Sequence, residues 1–265
     1  STVAAPNFTF TDVTDNGGVY EFLDNVPIGS PFTVTANYNA NPLNGLTTYD
    51  LVLISKHILG IEPLGSPYKM IAADANKSNS ITTFDIVEYR KLILGITQEL
   101  PNNKSWRFVP KDSLFANPQN PFQSPIPEVI NEEGAFSNLL GVDFIGIKTG
   151  DVNNTAMPNA TAAPESRSEG KLWFDVSANG RDELRAGEIV DIAFRSEEEV
   201  LAGQFTLNLN GVEVLEIVPG ANLEAENFAL FPDKNALTMA WEKGGTAAFS
   251  LKCRTSEAGN LREMF

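Results

Sequence analysis

The chain has 265 residues, 42% of them hydrophobic and 20% charged, and carries a formal net charge of −15. Such an acidic chain is poorly suited to bind nucleic acid through phosphates, because that requires a basic face. A single cysteine excludes an internal disulfide framework, and a single histidine argues against a multi-histidine zinc or iron site. The sequence has no apolar run as long as a membrane span.

The first 36 residues are predicted to form short β-strands. Residues 8–10, 19–23 and 32–35 are rich in β-branched and aromatic side chains, and Gly, Pro, Asp and Asn separate them. This segment is too short for a complete sandwich. We expect it to be the end of a small β module.

An internal repeat follows. Residues 46–61 and 81–96 align at an offset of 35 residues, with nine of sixteen positions identical. Each copy predicts a helix that begins after a threonine N-cap, carries an aspartate in its first turn and ends at a glycine. Apolar residues at 51, 54 and 58, and at 86, 89 and 93, predict that each helix buries one face. We expect the two helices to bury these faces on each other.

The loop before the second helix has the ligand spacing of a calcium loop. Its oxygen-bearing residues at positions 1, 3, 5, 7, 9 and 12 are Asp74, Asn76, Ser78, Ser80, Thr82 and Asp85, with position 7 able to ligate through its backbone carbonyl. Two carboxylates predict moderate affinity, suited to millimolar extracellular calcium. The alternative is an Asx-rich turn that only caps the helix.

The equivalent loop before the first helix is weaker. Its candidate ligands are Asn39, Asn41, Thr47 and Asp50, with one carboxylate among them. It either binds calcium or is a degenerate loop kept for packing and helix capping. Asp151 and Asn153 begin a third such loop that no helix follows, and they could lend ligands to the degenerate loop in space. Calcium is the only cofactor that the sequence predicts.

The remaining chain has three parts. Residues 101–155 contain repeated prolines and scattered aromatic residues, which predict an irregular extension packed on the repeat and ending in a strand at 142–148. Residues 156–170 have the composition of a linker. Residues 171–265 predict an all-β domain that we expect to be incomplete, with strands at 172–176, 189–194, 203–209, 212–218 and 247–253.

Residues 37–97 resemble a type I dockerin, in which D-x-N-x-[DS]-G-x-[IV]-[NT]-[ST]-x-D precedes a helix twice. Asp74, Asn76, Ser78, Thr82 and Asp85 fit this pattern, while Asn79 stands where the family has glycine. The resemblance implies cohesin-binding residues, which map to Thr48, Tyr49, Ser55, Lys56, Thr83, Phe84, Arg90 and Lys91. The aromatic residues among them could instead belong to the core.

Two further segments carry resemblances. Residues 171–265 resemble the first part of a cohesin, in stretches that include 175–178, 186–188, 203–207 and 237–241. Residues 1–36 resemble the end of a collagen-binding-protein B-type repeat, and the whole resembles large secreted bacterial surface proteins. The expected fold class is mixed and mainly β: a β-module remnant, dockerin-like paired calcium-loop helices over 37–100, and an immunoglobulin-like or cohesin-like β-sandwich over 171–265.

These features predict a calcium-stabilised structural and interaction segment of an extracellular multidomain bacterial protein. It would mediate protein–protein assembly of an adhesin or surface fibre through cohesin–dockerin-like contacts, including head-to-tail contacts between copies. The alternative is a carbohydrate-binding or scaffold module of a secreted polysaccharide-degrading system, for which Trp106, Trp173 and Trp241 would have to form an exposed row. We find no nucleophile, phosphate-loop or metal-hydrolase motif, and we do not expect an enzyme.

Overall fold

The computed structural model describes residues 2–5, 8–22, 29–134, 140–158 and 172–265. The chain is mainly β, with three helices and several antiparallel sheets. It divides into two compact units, Ser1–Leu46 with Glu62–Asp85 and Glu99–Pro164, and Thr47–Ile61 with Ile86–Gln98 and Glu165–Phe265. These units divide the predicted loop-and-helix repeat between them, and most of the predicted linker lies outside the described residues.

The helices are α1 (Thr48–Ile58), α2 (Pro67–Ala73) and α3 (Thr83–Ile93). The repeat predicted α1 and α3, and both are confirmed. Their apolar faces are buried, with Leu51, Ile54 and Tyr89 fully inaccessible to solvent. Helix α2 was not predicted, although Ser66 followed by a proline in the first turn is a helix-start signal. Of the described helices, none combines the length and the apolar character that crossing a membrane requires.

The first unit contains two antiparallel sheets. Its strands are β1 (Thr2–Ala5), β2 (Phe8–Thr11), β3 (Phe32–Thr35), β4 (Trp106–Pro110), β5 (Val129–Glu132) and β6 (Phe144–Lys148). One sheet has the order β2-β1-β3-β5, and β4 pairs with β6 in the other. The predicted strand at 142–148 is therefore confirmed as β6. Its partner β4 lies in the segment that was predicted to be irregular.

The predicted strand at 19–23 is wrong over its described part, residues 19–22, which form no strand. Aspartate side chains, rather than a neighbouring strand, accept backbone N–H groups there. Asp15 Oδ1 accepts the N–H groups of Gly17 at 2.8 Å and Val19 at 2.9 Å, and Asp12 accepts that of Glu21. Such Asx turns offer the backbone an alternative to pairing.

The second unit contains the remaining strands, β7 (Phe174–Ser177), β8 (Glu183–Leu184), β9 (Ile189–Ser196), β10 (Gly203–Asn208), β11 (Val212–Pro219), β12 (Phe228–Phe231), β13 (Ala236–Trp241), β14 (Ala248–Thr255) and β15 (Gly259–Asn260). Two sheets, β11-β14-β9-β7 and β10-β13-β12, contribute side chains to one core, and β15 pairs with β8. Strict alternation of exposed and buried residues along β9 shows why these residues form strands with one buried face. All five strands predicted in this region are confirmed.

Candidate functional site

The loop of residues 74–85 is coiled around the carboxylate of Asp74. Asp74 is fully buried, its Oδ1 accepts the N–H of Ser78 at 2.9 Å, and its Oδ2 accepts the N–H of Asn79 at 2.8 Å. These bonds draw positions 5 and 6 of the loop back onto position 1. The side chain that the sequence predicted as first ligand is therefore held at the centre of the loop.

The carboxylate of Asp85 closes the other end of the loop. It is also fully buried, and its Oδ1 accepts the N–H of Ala75 at 2.9 Å. Its Oδ2 accepts the N–H of Thr82 at 2.8 Å, at the start of α3. Asp85 therefore caps α3 and also holds the beginning of the loop in place. Asp74 and Asp85, at positions 1 and 12 of the predicted site, are both buried.

Neutral oxygens line the turn between these two carboxylates. Asn76 Oδ1 accepts the N–H of Ser78 at 3.0 Å, and Ser78 Oγ lies 2.9 Å from Ser80 Oγ. Lys77 and Asn79 adopt left-handed backbone conformations, with φ of 59° and 62°. Asparagine tolerates this conformation better than most residues, which explains how Asn79 serves where the dockerin pattern has glycine.

The environment of Asp74 disfavours its ionised form. Burial raises the pKa of Asp74, and the negative charge of Asp85 raises it further. The N–H groups of Asn79 and Ser78 and the guanidinium of Arg107 lower it, but they do not cancel the rise. A cation bound between the two carboxylates would relieve this cost of ionisation.

The donor set of this loop fits a hard divalent cation. It offers carboxylate, amide, hydroxyl and backbone carbonyl oxygens, which are the ligands that calcium takes. No three His, Cys, Asp or Glu side chains of the described residues gather in one place. A metal at residues 74–85 would therefore depend on neutral oxygens as well as on its two carboxylates.

A clamp of three charged residues lies beside this loop. Glu128 accepts hydrogen bonds from Lys77 Nζ at 2.6 Å and from Arg107 Nε at 2.8 Å, and Arg107 is almost completely buried on β4. Burial alone would raise the pKa of Glu128, but these bonds and charges outweigh burial and hold it below its ordinary value. The clamp joins position 4 of the loop to strand β4.

The weaker predicted loop is divided between the two units. In the first unit, Asn39 Oδ1 accepts the N–H of Ser105 at 2.8 Å, and Asn41 is left-handed with φ of 51°. In the second unit, Asp50 Oδ2 accepts both the N–H and the hydroxyl of Thr47 at 2.9 Å, which caps α1. These bonds show the packing and capping roles of the degenerate loop, and metal binding by its residues stays a prediction.

The segment that begins at Asp151 repeats the hydrogen bonding of the stronger loop. Asp151 is buried, its Oδ1 accepts the N–H of Thr155 at 3.0 Å, and its Oδ2 accepts the N–H of Ala156 at 2.7 Å. Asn154 is left-handed with φ of 62°, as Lys77 is at the same loop position. The Oδ1 of Asn153 is buried and has no hydrogen-bond partner among the described residues. A bound cation would satisfy this oxygen.

This segment lies against the degenerate loop within the first unit. Asn44 exchanges two hydrogen bonds with the backbone of Met157, at 2.8 and 3.1 Å, and Thr155 Oγ1 donates to the carbonyl of Gly45 at 3.2 Å. A Cβ at Gly45 would lie 2.6 Å from the backbone nitrogen of Ala156. The predicted third loop thus lies beside residues 44–45, where the sequence suggested that it could lend ligands.

In the second unit, α3 packs on the sheet β10-β13-β12. Arg90 forms an ion pair with Glu242, and their side chains are only 13% and 8% exposed. Thr238 Oγ1 donates to the carbonyl of Leu94 at 2.8 Å, and Leu94 is buried with Ala229 and Ala240. The end of the helix is therefore joined to the sheet by charge, a hydrogen bond and apolar contact.

The residues predicted to bind a partner fall into two groups: two of them contact the sheet, and the others lie on the surfaces of the helices. Thr48 donates its N–H to Gln204 Oε1 of β10 at 3.2 Å, and Arg90 contacts Glu242, so these two meet the sheet. Tyr49 and Phe84 are 47% and 72% exposed, which places them outside the core. The others lie on the helix surfaces: Thr83 is exposed, Ser55 and Lys56 are half-buried, and Lys91 pairs with Glu88 at 2.9 Å.

The sequence reasoning missed the sheet side of this contact. Gln204 and Thr238 lie in the stretches 203–207 and 237–241 that carry the cohesin resemblance, but neither they nor Glu242 were predicted to contact a helix. The tryptophans form no exposed row, because Trp241 is buried in the core and Trp106 is half-buried beside Tyr38, while Trp173 is 62% exposed.

Comparison with known proteins assigns neither a family nor a function to this chain. No protein-family model, no curated protein and no solved structure matches this chain.

Proposed function

We propose that this chain is a calcium-stabilised structural and interaction segment of an extracellular multidomain bacterial surface protein. The observation that carries this proposal is the coil of residues 74–85 around Asp74, closed by Asp85 at the start of α3. Two buried carboxylates in a loop otherwise lined by neutral oxygens favour a divalent cation over a purely capping turn. The dockerin-like pattern of the same residues supports calcium as that cation.

Calcium has a defined structural task in this proposal. Asp74, Asn76, Ser78, Ser80, Thr82 and Asp85 hold one ion, and the bound charge offsets the repulsion between the two carboxylates. Because the unfolded chain does not assemble these oxygens, binding stabilises the folded state by mass action. The loop then remains coiled and the first turn of α3 remains capped.

A second calcium ion belongs to the Asp151 loop. The supporting observations are the Asp74-like hydrogen bonds of Asp151 and the buried Oδ1 of Asn153 that lacks a partner. The carbonyl of Gly45 lies next to Thr155 and adds an oxygen of the kind that calcium takes. In this account, residues 151–155 supply the calcium ligands that the degenerate loop at residues 39–46 lacks.

The interaction part of the proposal rests on the contact between α3 and the sheet. A dockerin-like helix that presents Arg90 to Glu242 of a cohesin-like sandwich is a cohesin–dockerin-like contact made within one chain. Because these two faces are already buried on each other, we propose that the exposed Tyr49, Thr83 and Phe84 of α1 and α3 serve protein–protein assembly of an adhesin or fibre. The carbohydrate-binding alternative gains no support from the positions of the tryptophans.

Thermal unfolding in calcium and in chelator tests the proposed function. We expect the wild type to melt at a higher temperature in millimolar calcium than in chelator, and Asp74→Asn to lose the part of this difference that the loop of residues 74–85 contributes. Asp112→Asn is the matched control, because Asp112 is exposed and lies outside both loops. Equal melting temperatures of the wild type in calcium and in chelator would refute the proposal.

A further inference from the structure

An open polar cleft lies beside the loop of residues 74–85, within the first unit. Its volume is about 380 Å³, which falls in the lower part of the range of roughly 300–1,000 Å³ for small-molecule sites. The loop, strand β4 with the turn before it, and the chain that leads into β5 each contribute to its wall. Three separate segments thus converge on one polar space.

The buried cation in the wall of this cleft has hydrogen-bond donors to spare. Arg107 is 3% exposed, and its Nε donates to Glu128 at 2.8 Å. Its Nη1 is also buried and has no hydrogen-bond partner among the described residues. A donor of a charged group that is removed from water and left without an acceptor is costly. Because Arg107 lines the cleft, an acceptor on a ligand bound there would satisfy this nitrogen.

The cleft carries an excess of positive charge on an acidic chain. Lys77 and Arg107 contribute two positive charges to its wall and Glu128 one negative charge, so one positive charge remains. The chain as a whole has a net charge of −15. A planar guanidinium matches carboxylates and phosphates. A carboxylate brings one negative charge and balances this excess, whereas a phosphate monoester brings about −1.5 to −2.

The other wall residues suit a ligand with hydroxyl groups and a C–H face. The exposed side chains of Asn79 and Asn102 each offer two N–H donors and a carbonyl acceptor. Hydroxyl groups both donate and accept, so they pair with either end of an amide. Pro125 and Ile126 add apolar surface beside these amides. A sugar ring presents hydroxyl groups at its rim and C–H groups on its face.

We propose that this cleft binds an acidic sugar, whose carboxylate accepts hydrogen bonds from Arg107 Nη1 and whose hydroxyl groups pair with Asn79 and Asn102. The face of the ring packs against Pro125 and Ile126. Recognition depends on charge and hydrogen bonds rather than on stacking against tryptophan. Calcium binding by the loop does not require this ligand, so the site is additional to the proposed function.

A titration with three small ligands tests the proposal. Glucuronate, glucose and acetate are added separately to the isotopically labelled chain in millimolar calcium, and NMR follows the side-chain signals of Asn79, Asn102 and Arg107. Glucose has the same ring without the carboxylate, and acetate has the carboxylate without the ring. We expect saturable shifts with glucuronate and binding at least about tenfold weaker with the other two, since each lacks part of the hydrogen-bonding set. Acetate that binds as tightly as glucuronate would overturn the sugar assignment and indicate a simple anion site.

Variants in the wall locate the binding. Lys77→Gln is expected to weaken glucuronate binding about two- to fivefold, the size of an exposed charge interaction. Lys111→Gln is the matched control, because Lys111 is also an exposed lysine of the first unit that pairs with a carboxylate, and it lies outside the cleft. Arg107→Lys keeps the charge but removes Nη1, and we expect a loss of about tenfold or more. Asn102→Ala covers the case in which the buried Arg107 variant does not fold, because Asn102 is exposed.

Two results would overturn the proposal. One is an affinity for glucuronate that Lys77→Gln and Asn102→Ala leave equal to that of Lys111→Gln. The other is the absence of saturable shifts in the wild type at glucuronate concentrations well into the millimolar range. If the wild type still melts higher in calcium than in chelator, the second result removes the sugar site and leaves the proposed function standing.

Discussion

Asp74 and Asp151 hold their loops by the same pair of hydrogen bonds. In each case the carboxylate accepts the backbone N–H groups four and five residues further along, at distances between 2.7 and 3.0 Å. The residue three positions after each aspartate is left-handed, with φ of 59° at Lys77 and 62° at Asn154. Two segments of different sequence thus reach one local hydrogen-bonding geometry.

Replacement of Asp74 is expected to remove the stabilisation by calcium at the first loop. Binding at one hundred times the dissociation constant contributes about 2.7 kcal/mol, which corresponds to about 5–10 °C for a chain of this size. Asp74→Asn keeps the size of the side chain and one hydrogen-bond acceptor but loses the charge. Differential scanning calorimetry in calcium and in chelator measures the loss, with Asp112→Asn as the control. A variant that retains the full calcium-dependent shift would contradict the assignment of Asp74 as a ligand.

Replacement of Asn153 by leucine is expected to have effects of opposite sign in chelator and in calcium. In chelator it removes a buried oxygen without a partner, and relief of that cost contributes up to about 1–3 kcal/mol. In calcium it removes a ligand, so the variant gains less from calcium than the wild type does. Urea unfolding with and without calcium measures both effects. Asn154→Gly is the control, since Asn154 is exposed and glycine accepts its φ of 62°. The same change in stability under both conditions would rule out a ligand role for Asn153.

Alanine at Gly45 is expected to separate the Asp151 loop from the degenerate loop. Its Cβ would lie 2.6 Å from the nitrogen of Ala156, and its φ of 78° is already unfavourable for alanine. We expect a loss of about 2–4 kcal/mol from strain and overlap together. Gly60→Ala is the control, because its φ of 69° carries the same strain while nothing lies within 4 Å of the added carbon. If urea unfolding gives equal losses for the two variants, the close packing of Ala156 on Gly45 is wrong.

Acid is expected to weaken the clamp at Glu128. Its pKa is lowered in the folded chain, so the ionised form is stabilised by folding. That contribution is complete above the pKa of an unfolded glutamate, about 4.3, and is lost as the pH falls from there through the folded value. Melting temperatures in chelator between pH 3 and pH 7 should therefore fall more steeply for the wild type than for Glu128→Gln. Parallel curves would show that the clamp adds no pH-dependent stability.

The sequence predicted the helices and strands whose signals lie within a few neighbouring residues. The repeat gave α1 and α3, because threonine caps, first-turn aspartates and terminal glycines are read within a few residues. Alternation predicted β7, β9, β10, β11 and β14 of the second unit for the same reason, whereas β8, β12, β13 and β15 were not predicted. The strand at residues 19–22 failed because Asp12 and Asp15 compete for its N–H groups, and an alternating pattern does not show that competition.

Features that depend on distant residues could be predicted only in part. The D-x-N spacing marked Asp151 and Asn153, yet only the fold shows that this segment lies against Gly45. Glu242, Thr238 and Gln204 were not predicted, since a contact between a helix and a sheet more than 140 residues away leaves no local signal. Lys77, Glu128 and Arg107 come together from three separate segments for the same reason.

A direct calcium titration tests the central claim most directly. Isothermal titration calorimetry of the wild type, in parallel with Asp74→Asn and Asp151→Asn, counts the ions and assigns each to its loop. We predict two saturable equivalents for the wild type, with dissociation constants of about 0.1–1 mM as in extracellular calcium modules, and one equivalent for each variant. No saturable binding by the wild type up to about 5 mM calcium, well above that range, would contradict the claim that calcium stabilises this chain.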